Sequence, residues 1–299
     1  MKQLLQEFEE QGNKLILIPV KRLQNLKDEL NSFKEEEELN GFQRWIVNEL
    51  YHFDLPEAGF EIRSILLVAL SHPAHAEVEL NYQGTIHKTL SLVKPDFDIA
   101  GNRITQYLTD QGYHCCHSTN LPLKRLAVQS GFAVYGKNNI TYIDGLGSYF
   151  SYDAFFTDLP CSEGQWRPVT IAASCISCSA CIHHCPTQAI RKDRYLIDNQ
   201  RCLSAINEMP GEFPDWLAPS IHHTMYDCLR CQEICPMNQE YRENVLRTVV
   251  FNEEETGMLL SGAPYDSFSD SMKRRTKLLG LDDWLEAIPR NLRMLLEKK

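Results

Sequence analysis

CISCSACIHHCP, residues 175–186, and DCLRCQEICPMN, residues 227–238, decide how the chain is read. The first stretch places Cys175, Cys178, Cys181 and Cys185 ahead of Pro186, a C-x2-C-x2-C-x3-C-P run. The second repeats its last three members as Cys228, Cys231 and Cys235 ahead of Pro236. A [4Fe–4S] cube takes four thiolates at its corners. Short x2 spacings let one turn supply three, and in two-cluster ferredoxins the fourth Cys of each run ligates the other cube. On that crossing rule one cluster takes Cys175, Cys178, Cys181 and Cys235. The other takes Cys185, Cys228 and Cys231 and lacks a ligand, because Met225 stands three residues before Cys228. Cys202 is the only cysteine between the runs and is assigned as the replacement. Zinc sites or a disulfide knot are the competing readings, and two adjacent runs each closed by Cys-Pro disfavour zinc.

The bulk properties agree with redox chemistry. The chain has 299 residues, 43% of them hydrophobic, ample for a sizeable core. Its start, MKQLLQEFEEQ, is acidic and holds no contiguous apolar segment, so no signal peptide is expected. No run approaches the ~20 apolar residues of a membrane span. Eleven cysteines in such a chain point to metal or redox chemistry in a reducing cytosol, so a cytoplasmic location is expected. Cys115, Cys116 and Cys161 lie outside the runs and are expected to be packed thiols. Net charge is −10, and the basic residues are dispersed apart from Lys273–Arg274–Arg275 and the last few residues, which disfavours a nucleic-acid partner.

Upstream, apolar periodicity predicts a helix over 2–11, a strand over 14–20 stopped by Pro19, and helices over 21–30 and 41–51. The acidic run Glu35–Glu38 reads as a solvated helix face. IRSILLVAL, residues 62–70, is the most hydrophobic run and reads as a buried central strand. His72 follows it directly, and residues at the end of a central strand often face a ligand crevice, so His72 is a candidate cofactor contact. Residues 76–97 give no clear pattern. A helix over 98–111, capped by Asp96 or Asp98 and ended by Gly112, precedes a short strand at YHCCH, 113–117. A helix over 123–130 leads to a Gly-Lys-Asn-Asn turn at 136–139 and an aromatic strand over 149–157. Residues 240–299 read as mainly helical. The pattern predicts an α/β (α+β) core with a partly parallel sheet over 1–160, a ferredoxin-like double-cluster domain over 161–240 and a short helical tail over 241–299.

A plain electron carrier needs no upstream domain of this size, and no GxGxxG follows a strand, so a dinucleotide is not indicated. The residues alone describe an iron–sulfur redox protein whose other domain binds the group that receives the electrons.

The order of motifs resembles that of the epoxyqueuosine reductase family, cobalamin-dependent tRNA-modifying enzymes related to reductive dehalogenases. IRSILLVAL resembles the family's early core strand. LAVQSGFAVYGKNN, 126–139, resembles its Ala-x-x-Ser/Ala-Gly-Leu-Gly-Trp-x-Gly-Lys-Asn segment, and FFTDLP, 155–160, the strand before its clusters. The cysteine pattern matches its double-cluster signature, and the likeness covers residues 60–240. It implies a cobalamin-binding-type core with base-off cobalamin beside one cluster, and Gly136, Lys137 and Asn138 at the corrin edge. It also implies a low-potential electron donor such as ferredoxin or flavodoxin. The family's proton-donating aspartate aligns, counting back from Ala127 and Val128, with His117 in HSTNLPLKR, and a histidine can donate a proton near neutral pH. The family's Tyr-Ala-x-Gly-x-Asp-Tyr-His stretch is missing from 76–97, and its helical extension is cut to about 60 residues. These departures point to a small-molecule substrate in place of tRNA. The alternatives are a corrinoid-reducing or electron-transfer protein acting on a corrinoid partner, and a true epoxyqueuosine reductase with a changed acid.

Overall fold

The computed structural model describes residues 1–36, 38–192 and 196–297. Glu37 of the acidic run, and Lys298 and Lys299 of the basic end, lie outside the described residues. Among the described residues there are nine strands: β1 (Lys14–Pro19), β2 (Ser64–Ser71), β3 (Ala76–Tyr82), β4 (Thr85–Ser91), β5 (Cys115–His117), β6 (Val134–Tyr135), β7 (Thr141–Tyr142), β8 (Phe150–Thr157) and β9 (Leu246–Phe251). The chain forms two compact units, residues 1–71 with 96–178, and residues 72–95 with 179–299. These boundaries differ from the expected divisions near 160 and 240.

The first unit is built on a four-stranded sheet ordered β1-β2-β8-β5. The expected partly parallel sheet is not what forms: β2 pairs antiparallel with both β1 and β8, and β8 pairs antiparallel with β5. Strand–helix alternation fixes neither strand direction nor neighbour, and here the intervening helices return the chain alongside its sheet in the opposite sense. IRSILLVAL supplies the central strand as read, and Ile65 to Ala69 are wholly buried. Alternation sends Leu66, Val68 and Leu70 to the face where Leu4 and Phe8 of the helix Lys2–Glu10 and Ile104 and Leu108 of the helix Phe97–Asp110 pack with Phe155. Each such large side chain contributes roughly 1.5–3 kcal/mol by leaving water. Asp96 caps the second helix through its side chain on the Ile99 N–H, one of the two caps foreseen.

The second unit holds a three-stranded sheet ordered β4-β3-β9. The unread stretch 76–97 is mostly a β-hairpin, β3 and β4, in register from Ala76↔Ser91 to Tyr82↔Thr85. Its two-residue loop is Gln83-Gly84, both at positive φ (51° and 71°), as a primed hairpin turn requires. The tail is not wholly helical either. β9 runs parallel to β3, with a register shift between Ala76 and Val78 and Thr248 at a φ of 36°. Val249 and Phe251 of β9 are buried with Val78 and Leu80 against Leu259, Met272, Ile288 and Leu292 of the three following helices. Asn252 ends β9 and starts the next helix through a capping box with Glu255.

Candidate functional site

In the second unit three cysteines from distant stretches meet. Cys185 follows the short helix Ala180–His184, Cys202 caps the start of Leu203–Glu208, and Cys228 stands two residues before Arg230–Glu233. Burial first, with the neighbouring charges of Asp227, Cys202 and Cys185 adding to it, pushes the Cys228 thiol up to about 12. The Cys202 thiol is raised by burial first, with Asp227 and Cys185 adding to it. Cys202, expected as the replacement ligand, lies near Cys185 and Cys228. Met225, at the position where the repeat lacks a cysteine, is wholly buried in the apolar core of this unit.

Each of the three sulfurs receives backbone N–H groups. Ala189 donates to Cys185 Sγ at 3.2 Å, Ser204 and Ala205 donate to Cys202, and Arg230 donates to Cys228. N–H donors aimed at sulfur stabilise thiolates and tune the potential of a cluster they ligate. Clustered, half-buried thiols under N–H donors fit a cationic iron core, which would bind them deprotonated. Among the described residues no group of three or more His, Cys, Asp or Glu could hold a single metal ion, and no two of the eleven cysteines form a disulfide.

One residue outside the motif organises this corner. Asp227 sits at a φ of 64°, a left-handed conformation that aspartate tolerates better than most residues. Its carboxylate accepts from Ser204 Oγ (2.5 Å) and from the Cys228 N–H (2.6 Å). Its carbonyl accepts from Asn207 Nδ2 and Thr224 Oγ1, each at 3.0 Å. The helix that begins at Cys202 and the turn that presents Cys228 are thus tied through one aspartate. Asn291 adds a further tie, donating to the Asn207 carbonyl at 2.7 Å and the Met225 carbonyl at 3.0 Å.

In the first unit Cys175 closes a 3-10 turn and is buried, and the Cys178 N–H donates to the Cys175 carbonyl at 3.2 Å. The Gly-Lys-Asn-Asn turn between β6 and β7 comes to this loop. Lys137 Nζ donates to the carbonyls of Ile176 (3.1 Å) and Cys178 (3.0 Å). Asn138 is buried and donates to the Tyr142 hydroxyl at 2.9 Å. A Cβ on Gly136 would fall 2.5 Å from Asn138 Oδ1 and 2.7 Å from Tyr142 Cε2, so glycine is required for that packing. Gly136 and Asn138 serve the turn from inside, which leaves Lys137 and Asn139 as its half-buried rim.

His117 lies on the sheet of the same unit. β5 pairs with β8 so that His117 faces Phe155, and Asp153 lies two residues along β8 on the same face. The imidazole tilts over Phe155 with ring centroids 4.6 Å apart, and Nδ1 stands 3.8 Å from Asp153 Oδ1. The imidazole is 70% exposed and the carboxylate 19%. Burial, the largest cause, raises the Asp153 carboxyl above its ordinary value, against the Ala154 N–H bond and the His117 charge. Asp153 carries no motif, and only the strand register brings it to His117. Cys115, on the same strand as His117, bonds Thr105 Oγ1 at 3.5 Å. Cys115, Cys116 and Cys161 are half-buried, and burial raises their thiols. His72, in the second unit, is buried with Nδ1 2.8 Å from the Pro73 carbonyl.

Comparison with known proteins places these features. Residues 174–238 match the family model of the 4Fe-4S double cluster binding domain. The epoxyqueuosine reductase of Pseudomonas aeruginosa is 35% identical over 117 residues, 39% of this chain and 31% of that protein. That of Leadbetterella byssophila is 30% identical over 166 residues, 52% of this chain and 51% of that protein. The matched stretches thus span between about a third and a half of these relatives. Among solved structures, epoxyqueuosine reductase from Bacillus subtilis superposes with a TM-score of 0.66 at 21% identity, covering 99% of this chain and 80% of that one. An epoxyqueuosine reductase solved with an epoxyqueuosine-modified tRNA-Tyr stem loop superposes at 0.68 with 20% identity, again over 99% and 80%. The expectation that net charge disfavours a nucleic-acid partner finds no support in that comparison, because a protein of this fold binds RNA. Among the described residues no helix is long and apolar enough to cross a membrane.

Proposed function

We propose that this chain, a divergent relative of the epoxyqueuosine reductases, is an iron–sulfur oxidoreductase that passes single electrons from two [4Fe–4S] clusters to a base-off cobalamin. The observation that carries the iron–sulfur part is the convergence of Cys185, Cys202 and Cys228 under backbone donors. Together with Cys231 they form one ligand set; Cys175, Cys178, Cys181 and Cys235 form the other. When bound, the clusters supply one-electron reduction and the cobalamin supplies a strongly reducing metal centre. The case for cobalamin stands on the likeness of the Gly-Lys-Asn-Asn turn and on the shared fold. Of that turn, Lys137 and Asn139 keep surface for a corrin edge.

His117 is the proposed proton donor. Its exposed ring can deliver a proton, and Asp153 Oδ1, 3.8 Å from Nδ1, can orient the imidazole. Asp153 acts through His117 and is a positioning residue. The proposed substrate is a small electrophile, since His117 stands where the family's aspartate aligns. A second reading, reduction of epoxyqueuosine in tRNA, is favoured by the solved stem-loop complex of a relative. A donor such as ferredoxin or flavodoxin would reload the clusters in a reducing cytosol.

Anaerobic reconstitution with iron, sulfide and hydroxocobalamin tests the proposal. About eight irons per chain, the number two cubes require, and a co-eluting cob(II)alamin EPR signal without nitrogen splitting are expected. Zinc in place of iron overturns the cluster reading. Two cubes without retained corrinoid overturn the cobalamin reading and leave a protein that reduces a partner's corrinoid. Turnover of the modified stem loop, set against small epoxides and organohalides, decides between the substrate readings.

A further inference from the structure

The Gly-Lys-Asn-Asn turn is fastened to the first cysteine run at two levels. Below, Tyr135 at the end of β6 bridges Ile171, and the Ala172 N–H donates to the Tyr135 carbonyl at 2.7 Å. Above, the Lys137 ammonium caps the carbonyls of Ile176 and Cys178. Between them the turn is stiff. The Gly136 N–H donates to the Ile140 carbonyl at 2.8 Å, the Asn139 N–H to the Gly136 carbonyl at 3.0 Å, and Asn139 takes a φ of 60°. Asn138 fills the inside of the turn against Tyr142. A lysine on a free surface seldom keeps one conformation, because ordering its four-carbon stem costs up to about 2 kcal/mol of rotamer entropy. Here the stem leaves a rigid turn and its head meets two acceptors that belong to one loop, the loop that presents Cys175 and Cys178.

We propose that Lys137 is the positioning residue of the first cysteine run: it fixes the Ile176–Cys178 loop, and its charge raises the reduction potential of the cluster ligated by Cys175 and Cys178. This inference rests on the cluster reading. Reduction adds one negative charge to a cluster, so a fixed cation nearby favours the reduced state. Peptide units are planar and trans, so the N–H partnered with each capped carbonyl points away from the lysine and is not consumed by it. The second ligand set draws on other groups: Arg201 Nε donates to the Thr187 carbonyl at 3.0 Å, and the Asp227 carboxylate accepts from Ser204 and the Cys228 N–H. The two clusters should therefore respond differently to removal of Lys137.

The test is an EPR-monitored redox titration of the full chain, reconstituted with iron and sulfide, as wild type, Lys137→Met and Lys137→Arg. A Cys202→Ala background identifies the signal of the first cluster. The expected result is a lower midpoint potential for that cluster in Lys137→Met, an unmoved midpoint for the other, and near-wild-type behaviour in Lys137→Arg. Loss of the first cube alone in Lys137→Met, with both cubes kept in Lys137→Arg, likewise supports the holding role. Unmoved midpoints in Lys137→Met, equal shifts of both clusters, or loss of the first cube in both variants overturn the inference. Wild-type protein that takes up no cubes overturns the cluster reading beneath it, so the two failures are told apart.

Discussion

Asp227 and Asp153 are both half-buried acids beside a candidate site, and they are treated in opposite ways. Asp227 receives a hydroxyl and an N–H on its carboxylate and two more donors on its carbonyl. Asp153 receives one N–H, at 2.8 Å from Ala154, and otherwise has His117 at 3.8 Å. A buried acid whose acceptors are filled is a structural tie, because removing it strands several donors at once. A buried acid left short of partners has its proton equilibrium displaced, which marks a group available to chemistry. On this contrast the Cys202–Cys228 corner fits the proposed role of cofactor scaffold, and the His117–Asp153 strand pair the proposed role in proton transfer.

The largest effect should come from the corner. Cys202→Ala removes a cluster ligand, and iron in reconstituted protein should fall from about eight to about four per chain as one cube fails to assemble. Unchanged iron would show that another residue completes that cluster, and the corner would lose its purpose. Next is His117→Ala, expected to lower turnover by about 10²–10⁴-fold, the usual worth of general acid catalysis, with iron content unchanged. Equal turnover in the variant would remove His117 from the mechanism and leave the strand pair as surface packing.

Asp227→Ala should follow. It removes the two side-chain acceptor contacts and forces alanine into a left-handed conformation, for a loss of about 2–3 kcal/mol in the unfolding free energy of cluster-loaded protein. Asp227→Asn keeps an acceptor and tolerates that backbone, so it should lose less than half as much. Denaturant titration of the two variants checks the ranking, and equal losses would mean that charge, not backbone and bonding, is what the corner needs.

What was legible follows the range of the interactions. The cysteine runs could be read because a cube demands thiolates a few residues apart, and residues 174–238 match the double-cluster domain; the choice of Cys202 rests on its being the only cysteine between them. IRSILLVAL could be read because a central strand is buried on both faces, which leaves no alternation to misread. The β3–β4 hairpin could not, because its turn uses Gln83-Gly84, where asparagine or aspartate before glycine would have signalled it. β9 was lost among helices because six residues broken by a left-handed Thr248 give little periodicity, and its partner β3 lies about 170 positions away. Asp227 and Asp153 carry no local signature. Their roles come from register and long-range bonds, which a single sequence does not display.

The smallest effect is also the most direct probe of how Asp153 differs from Asp227. Burial raises the Asp153 carboxyl above its ordinary value. Between that ordinary value, near 3.9 in an unfolded chain, and the raised one, the folded protein holds a proton that the unfolded chain has released. Folding is then favoured by protonation, so the contribution of Asp153 to stability is present below this window and is lost as pH rises through it. The charged form is a cost, borne where a partner for His117 is useful. Asp153→Asn removes the titration, so stability relative to wild type should rise as pH climbs from the ordinary carboxylate value and level off above the raised one, by no more than about 1 kcal/mol. Turnover should fall in the same variant. Denaturation midpoints of both proteins at several pH values give the answer: parallel pH profiles would mean that Asp153 is as well satisfied as Asp227, and the contrast between the two acids would collapse.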